Sequence, residues 1–457
     1  MNIKPSTIQT QRASAKLYLS ILTLLSAIYY LWLLTFWPGV LGQDSLAVLL
    51  EINTNGSFQS GKPNFWYFFV KIFYEPMKLV EVPIIVQMGL TVLIFSRILT
   101  WCWQKDFKKI FFFSLIFICL TPHMIYFSGM LYADGIYSAA TVGLLFELWL
   151  ITTTKKIDRY SLAIVAVTLP FALFARPNGI ISLIPVVIAG YVLDSNARIK
   201  LIGITLAWCC LVLIAGGLHK TKKHETFFPL ALFETANFLQ PRPMNLWEPE
   251  PRVSEKTIQI LTKNNPLQKI IENYDRDYWD SLIYKPDGPN FSTMNPEERS
   301  GLVSEFFRYN LWKNIPAFVS SRVNVFLVAL LAKGGFPGLD YSSVIISESK
   351  SKSEFRLFHL TSAEVVFKKI HEFSYAYRWL IWTPLLGIFL LLRVAHLAWR
   401  QRDLAVLAVT VPMVIQLGGI FTFSIAGEYR YLLPFFMLPM VLLPILACTH
   451  KKAVGTS

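Results

Sequence analysis

The stretch LYLSILTLLSAIYYLWLLTFW, residues 17–37, followed by PGVLGQDS, residues 38–45, decides the fold. A bilayer-spanning helix needs about twenty mostly apolar residues, and 17–37 supplies them without a single charge. The run is too long for the core of a signal peptide and ends without a small-residue cleavage pattern, so it reads as a retained span. Lys4, Arg12 and Lys16 precede it, and basic flanks stay on the cytoplasmic side. Pro38 and Gly39 end the run, Gly42 permits a tight turn, and Asp44–Ser45 open a further apolar segment, LAVLLEI.

The pattern repeats along the 457 residues, of which 54% are apolar, 15% aromatic and only 16% charged. A soluble globular chain carries about 25% charged residues, so a water-soluble body of this size is excluded. Disordered, collagenous, coiled-coil and small disulfide classes fall on the same numbers. Apolar runs at 17–37, 79–101, 109–127, 135–153, 160–175, 178–193, 199–217, 378–398, 404–425 and 431–448 predict an all-α polytopic membrane protein with about ten transmembrane helices. Inner loops then hold Lys105, Lys108 and Lys109; Lys155, Lys156 and Arg159; Arg198 and Lys200; Arg400 and Arg402; and Lys451 with Lys452 at the C-terminus. This distribution accounts for the net charge of +14. No basic stretch is tied to a recognition motif, so nucleic acid is not an expected partner.

The run IPAFVSSRVNVFLVALLAK, residues 315–333, breaks the parity of inside and outside. Arg322 and Asn324 in its first half are costly at mid-bilayer. It is expected as an interfacial or re-entrant helix, with eleven spans and a further dip within 341–377 as the alternative. The expected organisation is a transmembrane module at 1–217, an extracytoplasmic region at 218–377 and C-terminal transmembrane helices at 378–457. Cys102, Cys119, Cys209, Cys210 and Cys448 lie in or beside apolar runs and form neither a disulfide framework nor a metal-type spacing.

Polar residues near the spans gather on the expected outer side. Asp44 and Asp134, the latter in GMLYADGIYS, are each open to two readings: a helix N-cap, or a carboxylate able to take a proton from an attacking hydroxyl. Arg176, in FARPNGI, is either a snorkelling arginine or an anion ligand, since guanidinium forks match phosphate oxygens. Glu428 and Arg430, in GEYRYLLPFF, either pair with each other or serve the same outer site. Lys220, Lys222 and Lys223 form an outer basic cluster against the positive-inside trend, which suits an anionic lipid headgroup or lipid phosphate. The aromatic stretch NFWYFFVKIFY, residues 64–74, can border a lipid groove or lie as an interfacial helix. No spacing indicates a metal or a cofactor.

These residues resemble the GT-C superfamily of polytopic, lipid-phosphate-sugar-dependent glycosyltransferases, and look most like its bacterial branch of O-antigen serotype-modifying glucosyltransferases. The likeness rests on Pro38–Gly39 with Asp44–Ser45, on Asp134 in YADGIYS, and on Arg176, Asn178 and Gly179. Trp312, Pro316 and Arg322 before a late apolar helix, and Arg430–Tyr431 before the last span, complete it. One departure stands out: where relatives carry His-Pro-Pro after the first outer loop, this chain reads Lys62-Pro63-Asn64. The resemblance implies a bacterial inner-membrane enzyme with its site facing the periplasm. It would move a hexose such as glucose from a polyprenyl-phosphate sugar to a lipid-linked or surface glycan such as O-antigen. Asp44 and Asp134 would be catalytic. Arg176, Arg430, Lys220, Lys222 and Lys223 would hold the donor phosphate, and Lys62, Asn178, Glu428, Arg322 and Tyr431 would contact substrate. An O-antigen polymerase or ligase, and a polyprenyl-lipid flippase or transporter, are the competing readings. The last of these needs ionisable groups near the bilayer midplane and broken helices around them.

Overall fold

A computed structural model describes residues 5–219, 227–241 and 252–454, the side chains of 5–14 and 450–454 excepted. Among these residues the chain is helical, with isolated β-bridges and no strand. Two compact units are formed, one from residues 1–221, 336–416 and 430–457, the other from 222–335 and 417–429. The region expected at 218–377 is thus divided: 222–335 lies in the second unit and 336–377 in the first. The latter stretch is hydrogen-bonded to the main chain of residues 37–41. Ser342 Oγ donates to the Gly39 carbonyl at 2.8 Å and accepts the Leu41 N–H at 3.0 Å, and the Arg356 N–H donates to the Trp37 carbonyl at 2.9 Å.

The first unit opens with α1 (Pro5–Thr35), α2 (Gln43–Asn53), α3 (Asn64–Tyr74), α4 (Glu81–Gln104), α5 (Lys108–Leu120), α6 (Pro122–Ser128), α7 (Ala133–Thr154) and α8 (Arg159–Phe174). A 3-10 turn at Pro177–Ser182 then runs into α9 (Leu183–Val192), followed by α10 (Ser195–Leu218). Among the described residues seven helices are long and apolar enough to cross a membrane: Ala15–Thr35, α4, α7, α10, Arg378–Gln401, Leu404–Phe423 and Tyr429–Thr449. This is the architecture of a polytopic membrane protein. The run expected at 109–127 is not one straight helix. It bends by 64° between α5 and α6, where Pro122 supplies no N–H to the preceding turn and starts a new helix instead. Counting that pair as one span gives eight. The runs at 160–175 and 178–193 form shorter apolar helices, Arg159–Phe174 and Pro177–Val192.

Burial orders these helices. In α7, 94% of the apolar window is buried, against 6% in α10. Small residues of α7 (Gly135, Ala139, Ala140 and Gly143) let neighbouring backbones approach, and α7 packs on α4 and α8. Near its far end Glu147 is fully buried and accepts from Arg97 Nε of α4 at 2.8 Å and from the Ser161 hydroxyl of α8 at 2.6 Å. A charge that deep in an apolar body needs such partners. Exposed Leu206, Leu211, Leu213 and Ile214 give α10 an apolar outer face, as a helix against lipid requires.

The second unit builds its own core around α11 (Phe228–Phe238), with Phe228, Leu232, Leu261, Ile270, Leu282 and Leu302 closed from water. Its helix Ile315–Leu330 is 16 residues long, about 24 Å at 1.5 Å per residue and short of a hydrocarbon core of about 30 Å. Ile315, Val319, Val323 and Leu327 form an exposed stripe on one face. Arg322 lies on the other face, buried, with its guanidinium on the Glu234 carboxylate and the Ser424 carbonyl.

Candidate functional site

The site begins with two short turns that match each other. Gly39-Val40-Leu41-Gly42-Gln43-Asp44 leads into α2, and Gly129-Met130-Leu131-Tyr132-Ala133-Asp134 leads into α7. Both read Gly-x-Leu-x-x-Asp. They lie side by side through a parallel bridge between Val40 and Met130, in which the Val40 N–H donates to Gly129 and the Leu131 N–H donates to Val40. Gly39 makes this contact possible: it sits at φ +115°, and a Cβ there would stand 2.7 Å from the Gly129 carbonyl oxygen. Ser45 ties the turns further, donating to the Leu131 carbonyl at 3.0 Å while accepting the Gly42 N–H.

Neither aspartate is an N-cap. Gly42 and Tyr132 hold the cap positions, and Asp44 and Asp134 stand in the first turns of their helices. There a carboxylate is favoured by the positive end of the helix dipole, and its oxygens remain available to other side chains. Lys62 Nζ lies 2.7 Å from Asp44 Oδ1, and Arg430 Nη1 binds Asp44 Oδ2. Arg176 Nη1 pairs with Asp134 Oδ1, and Arg430 reaches Asp134 Oδ2 at 4.0 Å. Arg430 thereby links the two carboxylates.

Local sequence sets the arginines. Pro177 ends α8, so Arg176 takes an extended conformation between α8 and the 3-10 turn. Gly179 lets that turn close, because a Cβ would stand 2.5 Å from the Ala172 carbonyl oxygen. Arg430 begins the last apolar run from the 3-10 turn Tyr429–Leu432, ahead of the helix Leu433–Met437 that packs on α7. Tyr431 lies under the Arg176 guanidinium at 4.8 Å and beside Arg430 at 5.6 Å, and Tyr132 faces Arg430 at 5.2 Å. Such ring faces favour cations.

These groups line a cleft of about 170 Å³, together with Gly61, Trp66 and Ala175. Three cations against two carboxylates leave one positive charge in excess, within reach of solvent. Burial pushes the Asp44 carboxyl up, but Arg430 and Lys62 outweigh it and hold the group well below the usual carboxylate range. Burial is the largest influence on Lys62 as well. Aided by the charges of Arg430 and Arg176 and opposed by Asp44, it leaves the amine below its ordinary value.

Of the expected site residues, the cleft brings together Asp44, Asp134, Lys62, Arg176, Arg430 and Tyr431. Asn178 is half-buried beside it and does not line it. Glu428 belongs to the second unit, bridged to Gly334, and Arg322 is engaged there with Glu234. Lys220, Lys222 and Lys223 lie outside the described residues. Trp66, from the aromatic stretch 64–74, lines the cleft, and so does Tyr132, to which the duplicated Gly-x-Leu-x-x-Asp would have pointed, as it stands inside the second copy. Among the described residues no group of three or more His, Cys, Asp or Glu is placed to hold a metal ion, and none of the five cysteines forms a disulfide. No family model, curated protein or solved structure matches the chain.

Proposed function

We propose that this protein is an integral-membrane glycosyltransferase of the GT-C kind. It would transfer a hexose such as glucose from a polyprenyl-phosphate sugar to a cell-surface glycan at the extracytoplasmic face of a bacterial inner membrane. One observation carries the reading: in a membrane-type helical body, two carboxylates and three cations from distant parts of the chain share one cleft with a positive charge in excess.

The chemistry follows from that set. A donor phosphate is drawn to Arg176, Arg430 and Lys62, which stabilise the charge that develops on it as the bond to the anomeric carbon breaks. While paired with both cations Asp44 is a weak base. A phosphate that recruits Lys62 and Arg430 loosens their hold and leaves Asp44 able to accept the acceptor hydroxyl's proton. The acceptor oxygen forms the new bond to the anomeric carbon, the phosphate oxygen leaves with the bonding pair, and the proton ends on Asp44. One displacement with one base gives inversion; a double displacement needs a nucleophilic carboxylate at the carbon. Asp134, held by Arg176, orients the arginines.

The test is transfer by purified protein from a labelled polyprenyl-phosphate glucose to lipid-linked glycan, scored as released polyprenyl phosphate. Asp44→Asn keeps the shape and removes the base, so activity should fall by about a hundredfold or more. Full activity of that variant ends the assignment of Asp44. Donor moved intact across a bilayer with no phosphate released would favour the flippase reading.

A further inference from the structure

Farther along α2 from Asp44 stands another buried carboxylate that the chemistry above does not use. Glu51 is on α2, two turns after Asp44 and on the same face, with 2% of its surface exposed. Its Oε2 accepts the Ser60 N–H at 3.1 Å and the Ser60 hydroxyl. Its Oε1 lies 2.8 Å from Nε2 of His219, at the end of α10, and the His219 ring stacks on Tyr67 of α3 with centroids 4.0 Å apart. The Ser60 hydroxyl in turn accepts the Lys62 N–H at 3.2 Å. The loop after α2 therefore doubles back along the helix. It is fastened to Glu51 at one point and crosses Asp44 two residues later through the Lys62 ammonium.

We propose that Glu51 is a positioning residue for the cleft: clamped between Ser60 and His219, it fixes the 54–63 loop so that Lys62 stands on Asp44. The fastening consists of hydrogen bonds to one buried carboxylate, and it acts on Lys62 through the main chain, with Ser60 as the intermediary. Its value to catalysis rests on reading the cleft as a donor-phosphate site; the contact itself does not.

The test reads the Lys62 amine directly. Full-length protein in detergent is acylated briefly with an amine-reactive ester, and each lysine's modification rate is measured by mass spectrometry, with exposed Lys155 and Lys156 as internal references. Loss of a hydrogen bond to a charged group loosens the loop, so Ser60→Ala and Glu51→Ala should each raise the Lys62 rate about tenfold. Glu51→Gln, whose amide oxygen still accepts from Ser60, should restore it most of the way. Asp44→Asn, which releases Lys62 from the other side, serves as the positive control. Ser60→Ala removes one hydroxyl and keeps the test alive if Glu51→Ala fails to fold. A Lys62 rate within twofold of wild type in the variants that fold overturns the proposal, as does a rise shared by Lys155 and Lys156. In the transfer assay, Ser60→Ala should lower kcat several-fold per folded protein, because Lys62 then holds the charge developing on the phosphate less well, and Ser60→Thr, which keeps the hydroxyl, should restore it; a loss that Ser60→Thr does not restore would mark a merely structural role and overturn the catalytic part. If the labelling behaves as expected while wild-type protein transfers no sugar, the donor reading fails and the positioning of Lys62 stands. Active wild-type protein with unchanged labelling gives the converse.

Discussion

Asp44 is bound at both oxygens, by Lys62 and by Arg430, and this has a consequence for acid stability. Burial raises its pKa, yet the two cations bring the native value well below the ordinary 3.8. A carboxylate whose native pKa lies below its unfolded one binds fewer protons when folded. Its contribution to stability is therefore complete above that ordinary value and is lost as pH falls toward the native one. Wild-type protein should lose thermal stability more steeply than Asp44→Asn between about pH 5 and pH 2. Parallel unfolding-midpoint curves for the two proteins would contradict this. At this scale much of the site was legible. Asp44, Asp134, Arg176 and Arg430 are charges at the ends of apolar runs, where a lone charge requires a partner, and Lys62 was pointed to only by the resemblance, as the residue standing where relatives carry histidine. Tyr132 was not legible, because interfacial aromatics are commonplace in membrane chains. Arg322 shows the opposite trap: its guanidinium is consumed by Glu234, a partner 88 residues away in sequence that no spacing reveals.

Among the elements, the paired turns before α2 and α7 carry the geometry. Gly39 occupies backbone space that an L side chain rarely adopts, and a Cβ there would press on the Gly129 carbonyl. Gly39→Ala should destabilise the first unit by about 1–3 kcal/mol and part the Val40–Met130 bridge. Lower thermal stability together with loss of the cleft's activity is the expected result; a variant as stable and as active as wild type would show the bridge to be dispensable. The helices themselves were readable from hydropathy, and each expected apolar run is found as helix. The break between α5 and α6 was not readable, since a window average passes over Pro122 and sees one apolar stretch. The short lengths of Arg159–Phe174 and Pro177–Val192 were readable, since Arg176 and Pro177 divide the region into the runs expected at 160–175 and 178–193.

For the whole molecule, the basic turns fix an expected orientation, with 155–159 and the C-terminus inside and the cleft outside. Reporter fusions at 156 and after 457 should be active in the cytoplasm, and a cysteine introduced at position 62 of a cysteine-free variant should react with an impermeant thiol reagent in intact cells. Inverted reporters, or a position 62 cysteine that reacts only after lysis, would reverse the orientation and with it the outward glycan acceptor. The two-unit division was less legible, because it follows the hydrogen bonds that seat Ser342 and Arg356 on the end of α1, and such pairing leaves no trace in composition.

Arg430 meets Asp44 across 386 residues of sequence. A ribosome that has released α1 to α10 has therefore made both carboxylates, Lys62 and Arg176, a balanced set of charges with no surplus for an anion. The surplus arrives only with Arg430, so the cleft has its excess positive charge only once residues 1–429 have been made.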